Sequence, residues 1–160
     1  MKKTSFARLG VVSEARFAAS TATTAKLRPT PVPVPVAKDY FVEADGLRFA
    51  GRHLLVEFWQ AEKLNDLDAV ESAMRAGVTA SGATLLHLHL HHFSPNGGIS
   101  GVAVLAESHI SIHTWPERGY AAIDIFMCGA CNPYDAIPAL REGLTPGSVT
   151  ISENKRGVVA

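Results

Sequence analysis

The chain has 160 residues, 47% of them apolar and 19% charged, enough for one modest core, and its Lys plus Arg and Asp plus Glu balance at 15 each. Zero formal charge argues against a general nucleic-acid or membrane-surface role, and no apolar run approaches the roughly 18 to 20 residues needed to cross a bilayer. The start lacks the compact apolar core of a secretory signal, and two cysteines, Cys128 and Cys131, are too few and too close for a secreted disulfide framework, so a cytoplasmic protein with reduced thiols is expected.

Residues 1–37 differ in composition from the rest of the chain. Lys2, Lys3, Arg8, Arg16, Lys26 and Arg28 face a single acid, Glu14, and the stretch ends in Pro29-Thr30-Pro31-Val32-Pro33-Val34-Pro35, which favours extended backbone. A disordered basic tail and stiff spacer are expected here, ahead of one domain over residues 38–160. The composition also matches an organellar targeting peptide, against the plainer reading of an extension.

From Gly51 the pattern becomes regular. Leu54 to Phe58 read as a strand; Asn65 or Asp66 caps a helix with apolar positions Leu67, Val70, Met74 and Val78 that Gly82 stops; Ala83 to His92 read as a second strand. Pro95-Asn96-Gly97-Gly98 is a turn, followed by strands over Ile99 to Ala106, Ser108 to Thr114 and Tyr120 to Met127. Pro133 opens a second helix through Ala136, Ile137 and Leu140, and Ser148 to Ser152 supply a last strand. Strands outnumber helices and neighbours are joined by tight turns, which points to an α+β fold: a two-layer sandwich, mostly antiparallel sheet, with helices on one face.

The run Glu107-Ser108-His109-Ile110-Ser111-Ile112-His113-Thr114-Trp115-Pro116, with Cys128 closing the next strand, carries a hydroxyl, an imidazole and a thiol that local structure could bring together as a reactive site. Period-2 geometry puts His109, Ser111 and His113 on one face of a short strand, with Ser108 at its leading edge. Taken singly, Ser108 is an ordinary strand-edge serine, Cys128 a small buried hydrophobe, Phe93 a core residue and Glu117 a turn residue after Pro116.

Two other constellations suggest different classes. His87, His89 and His91 alternate on one strand and could supply half of a metal site in a metal-binding module, against the plainer reading of a polar sheet face. Cys128-Gly129-Ala130-Cys131 is a CxxC, open to a redox or zinc reading, though no βαβ crossover surrounds it.

The run Gly98-Ile99-Ser100-Gly101, Glu107-Ser108-His109 through His113-Thr114-Trp115-Pro116-Glu117, Gly119-Tyr120-Ala121-Ala122 and Asp124-Ile125-Phe126-Met127-Cys128-Gly129 resembles the bacterial and archaeal S-adenosylmethionine decarboxylase proenzymes, from near Gly51-Arg52-His53-Leu54 to about Arg156-Gly157. The resemblance implies the same α/β sandwich and a chain that cleaves itself between Glu107 and Ser108 into a β chain, 1–107, and an α chain, 108–160. Ser108 would become a pyruvoyl group, the Schiff-base-forming cofactor; Ser100 and His113 would assist processing; Cys128 would be the proton donor. Phe93 and Glu117 would bind the adenine and ribose of S-adenosylmethionine. The product would be decarboxylated S-adenosylmethionine for spermidine synthesis, made by a homodimer of αβ pairs. Relatives on the same scaffold act on arginine or ornithine, so these remain alternative substrates.

Overall fold

Apolar residues at every second position of the central strands build one wall of the core. The computed structural model describes residues 39–159, so the expected tail over residues 1–37 lies outside the described residues. The strands are β1 (Val42–Ala44), β2 (Leu47–Phe49), β3 (Gly51–Trp59), β4 (Leu85–His92), β5 (Ile99–Leu105), β6 (Ser108–Trp115), β7 (Tyr120–Cys128) and β8 (Ser148–Arg156); the helices are α1 (Leu67–Ala80) and α2 (Ala136–Leu144). Six strands form one sheet in the order β4-β5-β6-β7-β3-β8, with every neighbouring pair antiparallel. The antiparallel α+β sandwich expected from the sequence is the fold found.

Leu54, Val56 and Phe58 of β3, Ile110 and Ile112 of β6, and Ile123, Ile125 and Met127 of β7 are all at most 2% exposed. They share one buried cluster with Val70 and Met74 of α1 and Leu140 and Leu144 of α2, which places both helices on that face. Truncating such a buried leucine to alanine costs about 2 to 5 kcal/mol, a large part of a small domain's stability. The helices touch closely: a Cβ on Gly143 would lie 2.5 Å from the Ala73 Cβ, so only glycine fits there.

Asp66 caps α1, its side chain accepting from the Ala69 N–H at 3.0 Å. The helix ends at Ala80, just before the expected stop at Gly82, and Leu67 is 38% exposed rather than part of the core.

The β1–β2 hairpin was not among the expected elements. Its turn is Asp45-Gly46, both at positive φ (56° and 72°), the dipeptide signal for a tight hairpin. It is tied to the main sheet by a Lys155–Asp45 ion pair at 2.7 Å, and to the segment after β8 by the Val159 N–H donating to the Arg48 carbonyl at 2.8 Å.

The other sheet face carries no helix among the described residues. Along it run His53, Leu55, Glu57 and Trp59 of β3, His109, Ser111, His113 and Trp115 of β6, and Tyr120, Asp124, Phe126 and Cys128 of β7, in register across the ladders. Leu55, Trp59, Val104 and Trp115 on this face are 38–46% exposed.

Candidate functional site

The β5–β6 hairpin has only Ala106 and Glu107 between its strands, so Ser108 begins β6 directly at the turn. Its φ is 137°, a conformation L residues rarely adopt, and such a position stores on the order of 1–3 kcal/mol of strain. The strain falls on the residue after the Glu107–Ser108 peptide bond.

Both sides of Glu107 are held. Its carboxylate accepts from the Thr84 N–H at 2.9 Å and the Thr84 hydroxyl at 3.2 Å, while the Ala106 N–H donates to the Thr84 carbonyl at 3.0 Å. On the neighbouring strand, the Cys128 N–H donates to the Glu107 carbonyl at 3.0 Å. A donor on a carbonyl oxygen draws electron density from its carbon and stabilises the oxyanion that forms when a nucleophile adds there.

Cys128 is the last residue of β7, and Gly129, at φ 64°, turns the chain away, its N–H donating to the Tyr40 carbonyl at 3.0 Å. Both cysteines are free thiols. The Cys131 Sγ donates to the Gly82 carbonyl at 3.4 Å; burial first, then the charges of Glu107 and Cys128, push its pKa up and keep it a thiol. A cavity of about 560 Å³ opens beside this junction, with Phe41, Glu107, Gly129 and Cys131 among its walls.

The other expected residues lie at the opposite end of β6. Ser100 opposes His113 across the β5–β6 ladder, its hydroxyl 2.8 Å from the His113 Nδ1. Phe93, Ser100, His113, Trp115 and Glu117 line a cavity of about 210 Å³. Buried Thr114 anchors its floor, donating to the Leu64 carbonyl at 2.7 Å and accepting from the Ile99 N–H at 2.8 Å.

One chain therefore brings the Cys128 main chain against the Glu107–Ser108 bond, and Phe93, Ser100, His113 and Glu117 together, but not the two groups. His113 is five residues beyond Ser108 on the same strand, roughly 17 Å at about 3.4 Å per residue. The shared strand face expected for this segment is present, yet it keeps these groups apart.

Between the two ends runs a polar network that the sequence reading missed. Arg156 donates to the His53 Nδ1 at 3.2 Å, which makes that nitrogen the acceptor and leaves Nε2–H for the Asp124 carboxylate, also at 3.2 Å. Ser111 donates to the other Asp124 oxygen at 3.5 Å. His109 lies beside it, and burial, followed by the charge of His53, lowers its pKa. The signal for this network is the period-2 alternation of polar residues on strands whose opposite face is mostly apolar.

His87, His89 and His91 lie exposed on edge strand β4. Among the described residues no group of three His, Cys, Asp or Glu side chains is arranged to hold a metal ion, and no helix is long and apolar enough to cross a membrane.

Residues 52–157 match the model of the S-adenosylmethionine decarboxylase family. The chain is 46% identical over 114 residues to the S-adenosylmethionine decarboxylase proenzyme of Thermomicrobium roseum, covering 71% of this chain and 98% of that protein. It is 51% identical over 114 residues to the proenzyme of Methanococcus aeolicus, covering 69% and 97%. The crystal structure of the adenosylmethionine decarboxylase of Aquifex aeolicus superposes with a TM-score of 0.63 at 32% identity, over 70% of this chain and 94% of that one.

Proposed function

We propose, since the chain belongs to the S-adenosylmethionine decarboxylase family, that it is a self-cleaving decarboxylase converting S-adenosylmethionine to decarboxylated S-adenosylmethionine and carbon dioxide. The observation that carries this reading is the junction: a strained Ser108 following a carbonyl that accepts from the Cys128 N–H.

An amide is a poor electrophile, and a serine hydroxyl is a weak nucleophile. Strain at Ser108 raises the starting energy, and the Cys128 N–H stabilises negative charge on the Glu107 oxygen. The Ser108 Oγ adds to the Glu107 carbonyl carbon and the carbon–nitrogen bond breaks, leaving an ester. Loss of the Ser108 α-proton then expels the Glu107 carboxylate from Cβ. The resulting enamine tautomerises to an imine, which water hydrolyses to a ketone with release of ammonia. The products would be a chain of residues 1–107 and a chain of residues 108–160 beginning with a pyruvoyl group.

The junction fits that group, because a cavity is walled by Glu107, the residue just before Ser108, and by Gly129, the residue just after the Cys128 thiol that ends the adjacent strand. When formed, the pyruvoyl group supplies the electron sink that lets an amino acid lose carbon dioxide without a separate coenzyme. The Cys128 Sγ holds the proton to be returned to the substrate α-carbon. Phe93 offers a ring face to the adenine, and the Glu117 carboxylate accepts from the ribose hydroxyls.

Since one chain separates the two halves by about 17 Å, the working unit we propose is a two-fold homodimer in which the partner's Ser100 and His113 approach this chain's Ser108. The exposed Leu55, Trp59, Val104 and Trp115 on the helix-free sheet face support a second copy there, because a two-fold pairing buries the same apolar patch twice.

Intact mass under denaturing conditions tests the reading. Two fragments split between Glu107 and Ser108, the smaller carrying a pyruvoyl mass, are expected from the native chain, and one whole chain from Ser108→Ala. A native chain that folds and stays whole overturns it.

A further inference from the structure

We infer that Thr84 is a positioning residue for self-cleavage: its hydroxyl and main chain lock the hairpin turn so that the strain at Ser108 cannot relax before the Glu107–Ser108 bond breaks. The inference rests on the self-cleaving reading above.

Thr84 lies outside the hairpin, in the connection between α1 and β4. From there it makes three hydrogen bonds to the two turn residues. The N–H and Oγ1 hold the two carboxylate oxygens of Glu107, and the carbonyl accepts from the Ala106 N–H. The Cys128 N–H holds the Glu107 carbonyl from the other side. The acyl half of the bond is thus fixed to two elements of the frame, β7 and the approach to β4.

A two-residue turn with a free tip could swing and let Ser108 return to an ordinary extended φ, since non-glycine residues avoid φ near 137°. Fixing Glu107 removes that escape. The Oγ1 contact is to a charged acceptor, which makes it stronger than a neutral hydrogen bond, although its exposure to solvent brings it to the low end of that range.

The test follows cleavage of freshly synthesised full-length chain on a denaturing gel, in native protein, Thr84→Val and Thr84→Ser. Valine keeps the β-branched shape and the main-chain bonds and deletes only the hydroxyl. Cleavage about tenfold slower in Thr84→Val is expected from loss of one charge-assisted bond, with the native rate restored within about twofold by Thr84→Ser.

Hydroxylamine, which cuts esters, separates an effect on the first step from a later one. It is expected to leave the Thr84→Val rate unchanged, because the variant forms the ester slowly rather than accumulating it. Thermal unfolding of Thr84→Val in the uncleavable Ser108→Ala background is expected to stay cooperative, with a Tm within about 5 °C of Ser108→Ala alone, the cost of one hydrogen bond. Native-rate cleavage in Thr84→Val, equally slow cleavage in Thr84→Ser, an ester released by hydroxylamine, or loss of the cooperative transition each overturns the inference. A native chain that does not cleave defeats the decarboxylase reading itself, so the two failures are distinguishable.

Discussion

Ser100 and His113 are bonded across the β5–β6 ladder at 2.8 Å, while Ser108, on the same strand as His113, lies at its far end. If a partner chain closes that gap, damaged chains should repair one another. Ser108→Ala and His113→Ala homodimers should each lack activity. Co-expressed, they should form a mixed dimer with one intact site, because the native Ser108 of one chain meets the native His113 of the other. Activity approaching half the native value per mixed dimer is expected, and none at any mixing ratio would place each site within a single chain.

The proton donation proposed for the Cys128 side chain is separable from the bond its main chain makes. Cys128→Ser keeps the N–H that binds the Glu107 carbonyl and replaces the thiol with a much weaker acid. Self-cleavage should proceed, while decarboxylation falls by about a hundredfold, the usual worth of a placed general acid. Gel and carbon dioxide release assays, run on the same sample, report the two effects.

Glu117 shares the small cavity with Phe93, Ser100 and His113. Removing the carboxylate by Glu117→Ala should raise KM for S-adenosylmethionine by about tenfold through loss of charge-assisted bonds to the ribose hydroxyls. Cleavage should be unaffected. Steady-state kinetics beside arginine and ornithine check the assignment, since neither amino acid carries a ribose to lose.

Acid should weaken the fold through His109. Burial and the charge of His53 hold its pKa below the ordinary 6.5, with Asp124 opposing. A histidine with a depressed folded-state pKa binds more protons when unfolded, so its full contribution is present above about pH 6.5 and is lost as the pH falls from there toward the folded value. Phe126 and Val104 complete its surroundings. Tm measured from pH 7.5 to 5.5 on Ser108→Ala, at fixed protein concentration, should fall with pH, and His109→Gln should flatten the decline.

Much of the architecture was legible along the chain. The six strands of the main sheet and both helices appear where periods of two and of 3.6 residues put them, because burying one face of each element demands that spacing. The β1–β2 hairpin escaped, though Asp45-Gly46 marks it, because three-residue strands are too short to show a period. The last strand runs on to Arg156, past the expected Ser152, since the polar end of an edge strand carries no apolar alternation.

The chemistry on offer is written along the chain: a serine after a glutamate at a strand edge, a thiol twenty residues on, and a family pattern spanning them. How those groups meet is set by the folded chain. Antiparallel pairing of β6 with β7 sets the Cys128 N–H against the Glu107 carbonyl, the connection before β4 carries Thr84 to the turn, and the length of β6 holds Ser108 and His113 apart. Side-chain period is a property of a few adjacent residues, whereas strand order and register arise only when distant segments pair, so the faces could be read from the chain and the distances between their groups could not.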